Sequence, residues 1–308
     1  MGAPFPVALV GVGKIARDQH LPAIAGDPDF RLAAAVSRHE TVDGVPNFTD
    51  LDRFLSEGPD AAVVLCVPPS VRTAMALKAL AAGRDVMLEK PPAATLGEVE
   101  AMVEAARAAG ACLFATWHSR FAPAVAEAKD WLAGRRIREV SIVWKEDVRR
   151  WHPNQAWIWE AAGFGVFDPG INALSILTEI LPGPFLVRSA RLVEPANRAT
   201  PIAAVLAMTG ADGYPVAVEL DWRQEGPQTW DITVETDGGR LALGSGGADL
   251  RIDRVERTRK PEREYPEIYR RFAGLLRARE SDVDSRPLRI VADAFLIGAR
   301  ETTDAFYD

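Results

Sequence analysis

The sequence predicts an α/β protein of two parts: a parallel sheet covered by helices, then an α+β domain with an open, mostly antiparallel sheet. Three observations carry this. In the first 120 residues, apolar strand-like runs alternate with helix-like stretches. A Gly11-x-Gly13-x-x-Ala16 turn sits between the first run and the first helix. Beyond about residue 121 the alternation gives way to successive short strands with DG and GG pairs between them.

In order, residues 5–12 (FPVALVGV) read as a buried strand, followed by a helix-like stretch through Ala25. Residues 30–37 form a second strand, and 50–58 a helix closed by Gly58. The third strand, 60–69, is stopped by two prolines. An Ala-rich helix over 70–83 has Gly83 past its end. A strand at 85–92, a helix at 96–110 and a strand at 111–117 complete the pattern. Near-continuous apolar strands separated by helices signal a parallel sheet buried on both faces. With the glycine turn after its first strand, residues 1–120 are expected to form a dinucleotide-binding domain of the Rossmann type.

The second part starts with a helix at 123–134 and a strand at 137–148. A helix runs from Gly170 to about Leu181. Strands follow at 186–193, 201–210, 214–222, 229–236, 240–244 and 249–253, an antiparallel meander with one helix behind it. The KPERE run at 260–264 reads as a solvated connector, and helices are expected at 265–279 and 286–306. Residues 121–285 then form a substrate-binding and oligomerisation domain, with helix 286–308 packed back on the first. An open, half-apolar sheet face is most economically covered by a second copy, so a homodimer is expected.

Composition narrows the function. The chain has 308 residues, 48% apolar and 26% charged, with a net charge of −7. An acidic chain without a reader motif is not expected to bind nucleic acid. No uncharged apolar run approaches the ~18 residues of a membrane span, and the first residues lack the positive start of a secretory signal. The two cysteines, Cys66 and Cys112, and four scattered histidines offer no metal-ligand spacing. A cytoplasmic, metal-free protein is expected.

The glycine turn has the setting that a dinucleotide requires. Gly11 allows the tight turn, Gly13 a close approach to a pyrophosphate, and Ala16 close helix–strand packing. Lys14 and Ile15 open the helix whose N–H groups face the phosphates. After the second strand, where an NAD site usually carries an acid, stand Ser37 and Arg38. A hydroxyl and a guanidinium suit a 2′-phosphate, so NADP is favoured, with NAD as the companion. A solvent-facing Arg38 is the competing reading. Pro68, Glu89 and Lys90 end the third and fourth strands, where ligands of open α/β sheets bind.

Candidate chemistry in the second part centres on Asp168 and Asn172, four residues apart at a helix start. A carboxylate and an amide together suit binding and deprotonating a hydroxyl, although Asp168 could also be a simple cap. Trp117, His118 and Arg120, then Glu146, Trp151, His152, Trp157 and Trp159, combine aromatic faces with polar groups. Such a set suits a sugar ring, or else forms an aromatic mini-core.

The strings GVGKIA, EKP at 89–91 and GxxDxGxN at 165–172 resemble the glucose–fructose oxidoreductase/inositol dehydrogenase family across essentially the whole chain. KIARDQHLPAI, MLEKPPAATLGEVE, FATWHSR, WKEDVRRWHP and FDPGINALSI resemble its bacterial aldose 1-dehydrogenases, which act on L-arabinose and D-galactose. The resemblance implies oxidation of an aldopyranose C1 hydroxyl to the lactone, with hydride passing to NAD(P)⁺. Lys90 would touch the C1 hydroxyl and the nicotinamide ribose. Asp168 and Asn172 would lie at the reacting carbon, and His118, Glu146 and His152 at other hydroxyls. Two positions depart from the family pattern, which often has histidine at both: Asn172 and Arg72. Asparagine cannot take a proton, so the base is Asp168 or Lys90. Another polyol substrate, or a non-catalytic NADP-binding regulator, are the alternative readings.

Overall fold

The computed structural model describes residues 3–261 and 263–307. The chain forms two compact units, Met1–His118 with Tyr265–Ser285, and Ser119–Glu264 with Arg286–Asp308.

The first unit opens with β1 (Phe5–Val10), a π-helical segment (Ala16–His20) and α1 (Leu21–Gly26). The helix predicted through Ala25 is thus irregular. Pro22 has no N–H for the carbonyl four residues back, which disfavours regular α-helical bonding there. Then come β2 (Phe30–Val36), β3 (Asn47–Phe48), α2 (Leu51–Glu57), β4 (Ala62–Leu65), α3 (Pro69–Ala81), β5 (Val86–Leu88), α4 (Leu96–Ala109) and β6 (Leu113–Ala115). The strands lie in the order β3-β2-β1-β4-β5-β6, all parallel. The order reverses between β1 and β4, which opens the ligand crevice of such sheets. Local signals set the helix ends. Asp50 accepts the Arg53 N–H at 2.8 Å, Thr95 and Glu98 form a capping box, and Gly110 ends α4 in the left-handed region. The strands β4 and β5 stop short of the apolar runs 60–69 and 85–92. The leftover residues, Cys66–Pro68 and Glu89–Pro91, leave the ladder and form the loops at the strand ends.

The second unit contains α5 (Val125–Leu132), β7 (Ile137–Lys145), α6 (Val148–Trp151), α7 (Phe167–Ile180), β8 (Leu186–Pro195), β9 (Ala203–Thr209), β10 (Pro215–Asp221), β11 (Thr229–Thr236), β12 (Gly239–Gly244), β13 (Asp249–Ile252) and β14 (Val255–Arg259). The strand β14 lies in a charged run that carries no strand pattern. Next, α8 (Glu264–Ala278) adds to the first unit, whereas α9 (Arg286–Ile297) and β15 (Ala299–Thr303) belong to the second. The nine-stranded sheet runs β14-β13-β12-β11-β7-β10-β9-β8-β15. It is antiparallel except at β7/β10 and β8/β15. Val216, Val218 and Leu220 are buried while Ala217 and Glu219 are exposed, so one face is covered and the other open. Three helices, α5, α7 and α9, pack on the strands, instead of the single helix predicted.

Residues 265–285 and 286–308 are assigned opposite to the sequence reading. The apolar side of α8 buries Tyr265, Ile268, Tyr269 and Phe272, and Phe272 stacks on Phe30 of β2 at 5.9 Å. Asp282 then pairs through its backbone with Leu113 and Ala115 at 2.9 Å. By contrast, α9 buries Leu288, Ile290, Val291 and Ala294 against α7 and β8. The predicted helix 286–306 stops at Ile297, before Gly298, and Ala299–Thr303 becomes an edge strand beside β8. Among the described residues, no helix is long and apolar enough to cross a membrane.

Candidate active site

In the first unit, Gly11 has φ +89°, and a Cβ there would stand 2.8 Å from Val67 Cγ1. Only glycine fits this turn, which seats it against the loop after β4. At Gly13 the opposite holds, since a Cβ would meet no atom within 4 Å. Lys14 and Ile15 begin the helical run exposed, and Ala16 is buried. An open space before a helix N-terminus fits a pyrophosphate. Lys14 pairs with Asp18. Ser37 is half-buried, its Oγ accepting the Glu40 N–H at 3.3 Å, and Arg38 is exposed. Glu40, an acid near this strand end that the sequence reading passed over, pairs with Arg17 at 2.5 Å. Pro68 is half-buried at the start of α3.

Lys90 is half-buried just beyond β5. Glu89, expected to face the cofactor, turns inward instead. It is 5% exposed, and its Oε1 accepts from the Tyr265 hydroxyl at 2.8 Å and lies 2.9 Å from His20 Nε2. Its Oε2 accepts the Lys90 N–H at 3.1 Å. The other nitrogen of His20 lies 2.9 Å from the Tyr269 hydroxyl. Burial alone would raise the Glu89 pKa. The hydrogen bond and charge of His20, with His118 and the Tyr265 hydroxyl, outweigh it and bring the group down to about 2. Burial likewise opposes charge on His20. Cys66, Tyr269 and Glu89 overcome it and hold its pKa well above the ordinary histidine value. His118 stacks on Tyr265 at 6.0 Å, so within the first unit it joins this group. The tyrosines come from α8, some 176 residues along the chain from Glu89.

In the second unit, α7 is buried along nearly its whole length. Asp168 lies inside its first turn, not at the cap. The helix starts at Phe167, and the Asp168 N–H donates to the Gly165 carbonyl at 2.8 Å. Gly165 (φ +54°) is required, because a Cβ would stand 2.3 Å from the Pro201 carbonyl oxygen. The preceding loop holds Ala162 and Phe164 at φ 67° and 70°, strained positions of the kind that gather at functional sites. Asp168 is 3% exposed, and Asn172 is half-buried one turn further on. His152 Nε2 lies 3.7 Å from Asp168 Oδ2 and 3.8 Å from Glu146 Oε1. Glu146 accepts indole N–H bonds from Trp222 at 3.2 Å and Trp230 at 2.9 Å. The His152 ring packs 5.3 Å from Trp222, which meets Trp159 edge-on at 5.2 Å.

The second unit thus brings Asp168, His152 and Glu146 together, with Asn172 one turn along α7 from Asp168. Trp222 and Trp230, which hold Glu146, were not foreseen. Their only signal is a tryptophan at a strand end, WDITVET or ELDW, which by itself reads as core. Trp117 is also core, its indole N–H donating to the Asp284 carbonyl at 2.9 Å. Arg120 lies on α7, donating to the Ser175 carbonyl and Thr178 hydroxyl at 3.1 and 2.9 Å. Trp151 lies 5.3 Å from Trp230 with the rings tilted, and Trp157 is half-buried. Within the second unit the arrangement offers an acid–base group, an amide and a second carboxylate, ringed by indoles. Such a set suits a ligand of many hydroxyls.

Comparison with known proteins agrees with this chemistry. Residues 5–116 match the oxidoreductase family with an NAD-binding Rossmann fold. A galactose 1-dehydrogenase of Pseudomonas fluorescens is 46% identical over 306 residues, 99% of each chain. The crystal structure of a D-galactose-1-dehydrogenase protein from Rhizobium etli superposes with a TM-score of 0.96 at 54% identity, covering 100% of this chain and 99% of that one. A 3-ketoreductase from Actinomadura kijaniata in complex with NADP and TDP-benzene shares the fold at 19% identity, with a TM-score of 0.86 over 97% and 99% of the two chains.

Proposed function

The chain belongs to the oxidoreductase family with an NAD-binding Rossmann fold, and from that premise we propose that it oxidises the C1 hydroxyl of D-galactose and/or L-arabinose to the aldonolactone. The observation that carries this reading is the half-buried His152 between the buried carboxylates of Asp168 and Glu146, on its indole frame, in a chain 46% identical over 99% of its length to a galactose 1-dehydrogenase. Bound NAD(P)⁺ supplies the hydride acceptor. Gly11, Gly13 and the N–H groups at Lys14 and Ile15 bind its pyrophosphate. Asp168 takes the C1 hydroxyl proton, and Asn172 orients that hydroxyl. Lys90 donates a charge-assisted hydrogen bond to the oxygen as negative charge develops. His152 and Glu146 bind further hydroxyls, and the indoles exclude water. The free Cys66 and Cys112 suit a reducing cytoplasm.

Absorbance at 340 nm tests the reading with D-galactose, L-arabinose and myo-inositol, each with NAD⁺ and NADP⁺. Turnover of the two aldoses and not the inositol is expected. No turnover with either aldose, in protein that still binds NADPH, would refute it.

Ser37 and Arg38 support use of the 2′-phosphate, so NADP⁺ is the favoured acceptor. Losing one charge-assisted contact costs roughly 10-fold or more. Arg38→Ala is expected to raise KM for NADP⁺ by about that factor and leave KM for NAD⁺ unchanged. Equal effects on the two cofactors would remove Arg38 from the phosphate site.

The open sheet face carries Val205, Ala207 and Ala217 among charged residues, and a second copy covers it in this reading. Sedimentation equilibrium should give twice 33.5 kDa, and Val205→Lys should shift the mass to the monomer. A wild-type monomer at micromolar concentration would exclude the dimer.

A further inference from the structure

We propose that Arg72 is a positioning residue for Lys90. The role deepens the dehydrogenase reading, in which Lys90 touches the reacting oxygen. Arg72 is the fourth residue of α3 and is 3% exposed. Its Nη1 donates to the carbonyl of Glu89 at 2.6 Å and to that of Pro91. Its Nη2 donates to the carbonyl of Val67 at 2.5 Å. Lys90 is the residue between Glu89 and Pro91. One guanidinium therefore grips the chain immediately before and immediately after it, and ties both points to the loop that follows β4.

The Glu89 side chain completes the restraint, since its Oε2 accepts the N–H of Lys90 itself at 3.1 Å. That carboxylate is fixed in turn by Tyr265 and His20. The peptide N–H of Lys90 and the carbonyls on both sides are thus held by buried groups. The lysine side chain starts from a rigid point although it leaves a loop.

The chemistry calls for arginine. Its planar fork offers five donors in fixed directions, enough for three carbonyls at once, and each bond is charge-assisted. A lysine at 72 is a single compact cation on a flexible stem. A histidine there has one donor on each ring nitrogen and cannot span the same three oxygens. Burying a guanidinium is costly, and the three carbonyls that accept from Nη1 and Nη2 offset that cost. Being buried, Arg72 does its work through the backbone.

The alternative is that Arg72 merely stabilises the sheet end. A double-mutant cycle separates the two roles, because a residue that acts through Lys90 has little left to do once Lys90 is gone. The full chain is made as Arg72→Lys and Arg72→Gln, each with Lys90 present and in the Lys90→Ala background. Folding is followed by thermal melting, NADPH binding by fluorescence, and single-turnover oxidation of D-galactose by absorbance. Displacing a catalytic group by about 1 Å costs on the order of 10²-fold. Arg72→Lys is expected to lower the rate by roughly that factor, with NADPH affinity unchanged. The loss should vanish in the Lys90→Ala background. Arg72→Lys keeps the buried charge, so it carries the test if Arg72→Gln does not fold.

Equal fold-losses in both backgrounds would overturn the proposal, as would a folded Arg72→Lys enzyme of wild-type rate. Hydrogen–deuterium exchange over residues 89–94, measured without substrate, is the second readout. Exchange that speeds up there in Arg72→Lys and not across the rest of the sheet supports the clamp, and unchanged exchange removes it. A wild-type protein that turns over no aldose would refute the dehydrogenase reading, and the exchange measurement would still decide whether Arg72 holds the Lys90 segment.

Discussion

Replacing Asp168 by alanine is expected to lower kcat by about 10²–10⁴-fold, the usual contribution of a general base, while NADPH still binds. Asn172, one turn along α7, carries an amide that cannot accept the proton. Asp168 is the carboxylate of α7 that is buried beside the imidazole of His152, at 3.7 Å. The glycine-dependent, strained loop before α7 holds it there. Asp168→Asn sharpens the test. It keeps the shape and the neighbours and removes only the capacity to take the proton, so it should fall nearly as far as the alanine variant. A near-wild-type kcat in Asp168→Asn would move the base to Lys90. If NADPH affinity collapsed in step with kcat, Asp168 would be supporting the fold and not the reaction.

Glu89→Gln is expected to destabilise the protein by about 3 kcal/mol near neutral pH, as breaking a buried charged pair does. The effect should depend on pH with a definite sign. Unfolded, the carboxyl titrates near ~4.3, and folded, near about 2. A depressed carboxyl pKa contributes stability that is fully present above the unfolded value and is lost as pH falls through the folded one. His20 has the opposite sign. Its raised pKa contributes below the unfolded value of ~6.5 and fades as pH rises through the folded value. The gap in Tm between wild type and Glu89→Gln should therefore be widest between about pH 4.5 and 6.5, and should shrink as pH is lowered towards 2. Calorimetry across that range measures it. A gap that stayed constant from pH 6 to 3 would mean that Glu89 is not ionised in the folded protein.

The legible parts of this molecule are those written in neighbouring residues. The turn at Gly11, the capping box at Thr95 and Glu98, and the alternation along β10 are each decided within a few positions. Their physics is backbone sterics, caps and pattern, and so the parallel sheet and its crevice follow from reading along the chain. The Asp168–Asn172 pair is legible for the same reason, since both share one helix face.

Other features depend on partners far away in sequence. Glu89 looks like a cofactor contact because of its place at a strand end. It turns inward because Tyr265 waits 176 residues later on α8. Glu146 is bracketed by Trp222 and Trp230, 76 and 84 residues away, which alone read as ordinary core. The apolar stripes of α8 and α9 say that each must be buried but not against what, and their assignment to units is reversed in the structure. By itself the sequence determined the dinucleotide-binding half, the alternation of its strands and helices and the residue types offered for chemistry. Only the tertiary structure decided which of those residues stand beside one another, as Asp168, His152 and Glu146 do, and which, like Glu89 and Arg72, bond to buried neighbours. Side-chain direction is set by long-range packing and by the need to satisfy buried charge, and neither has a local signature.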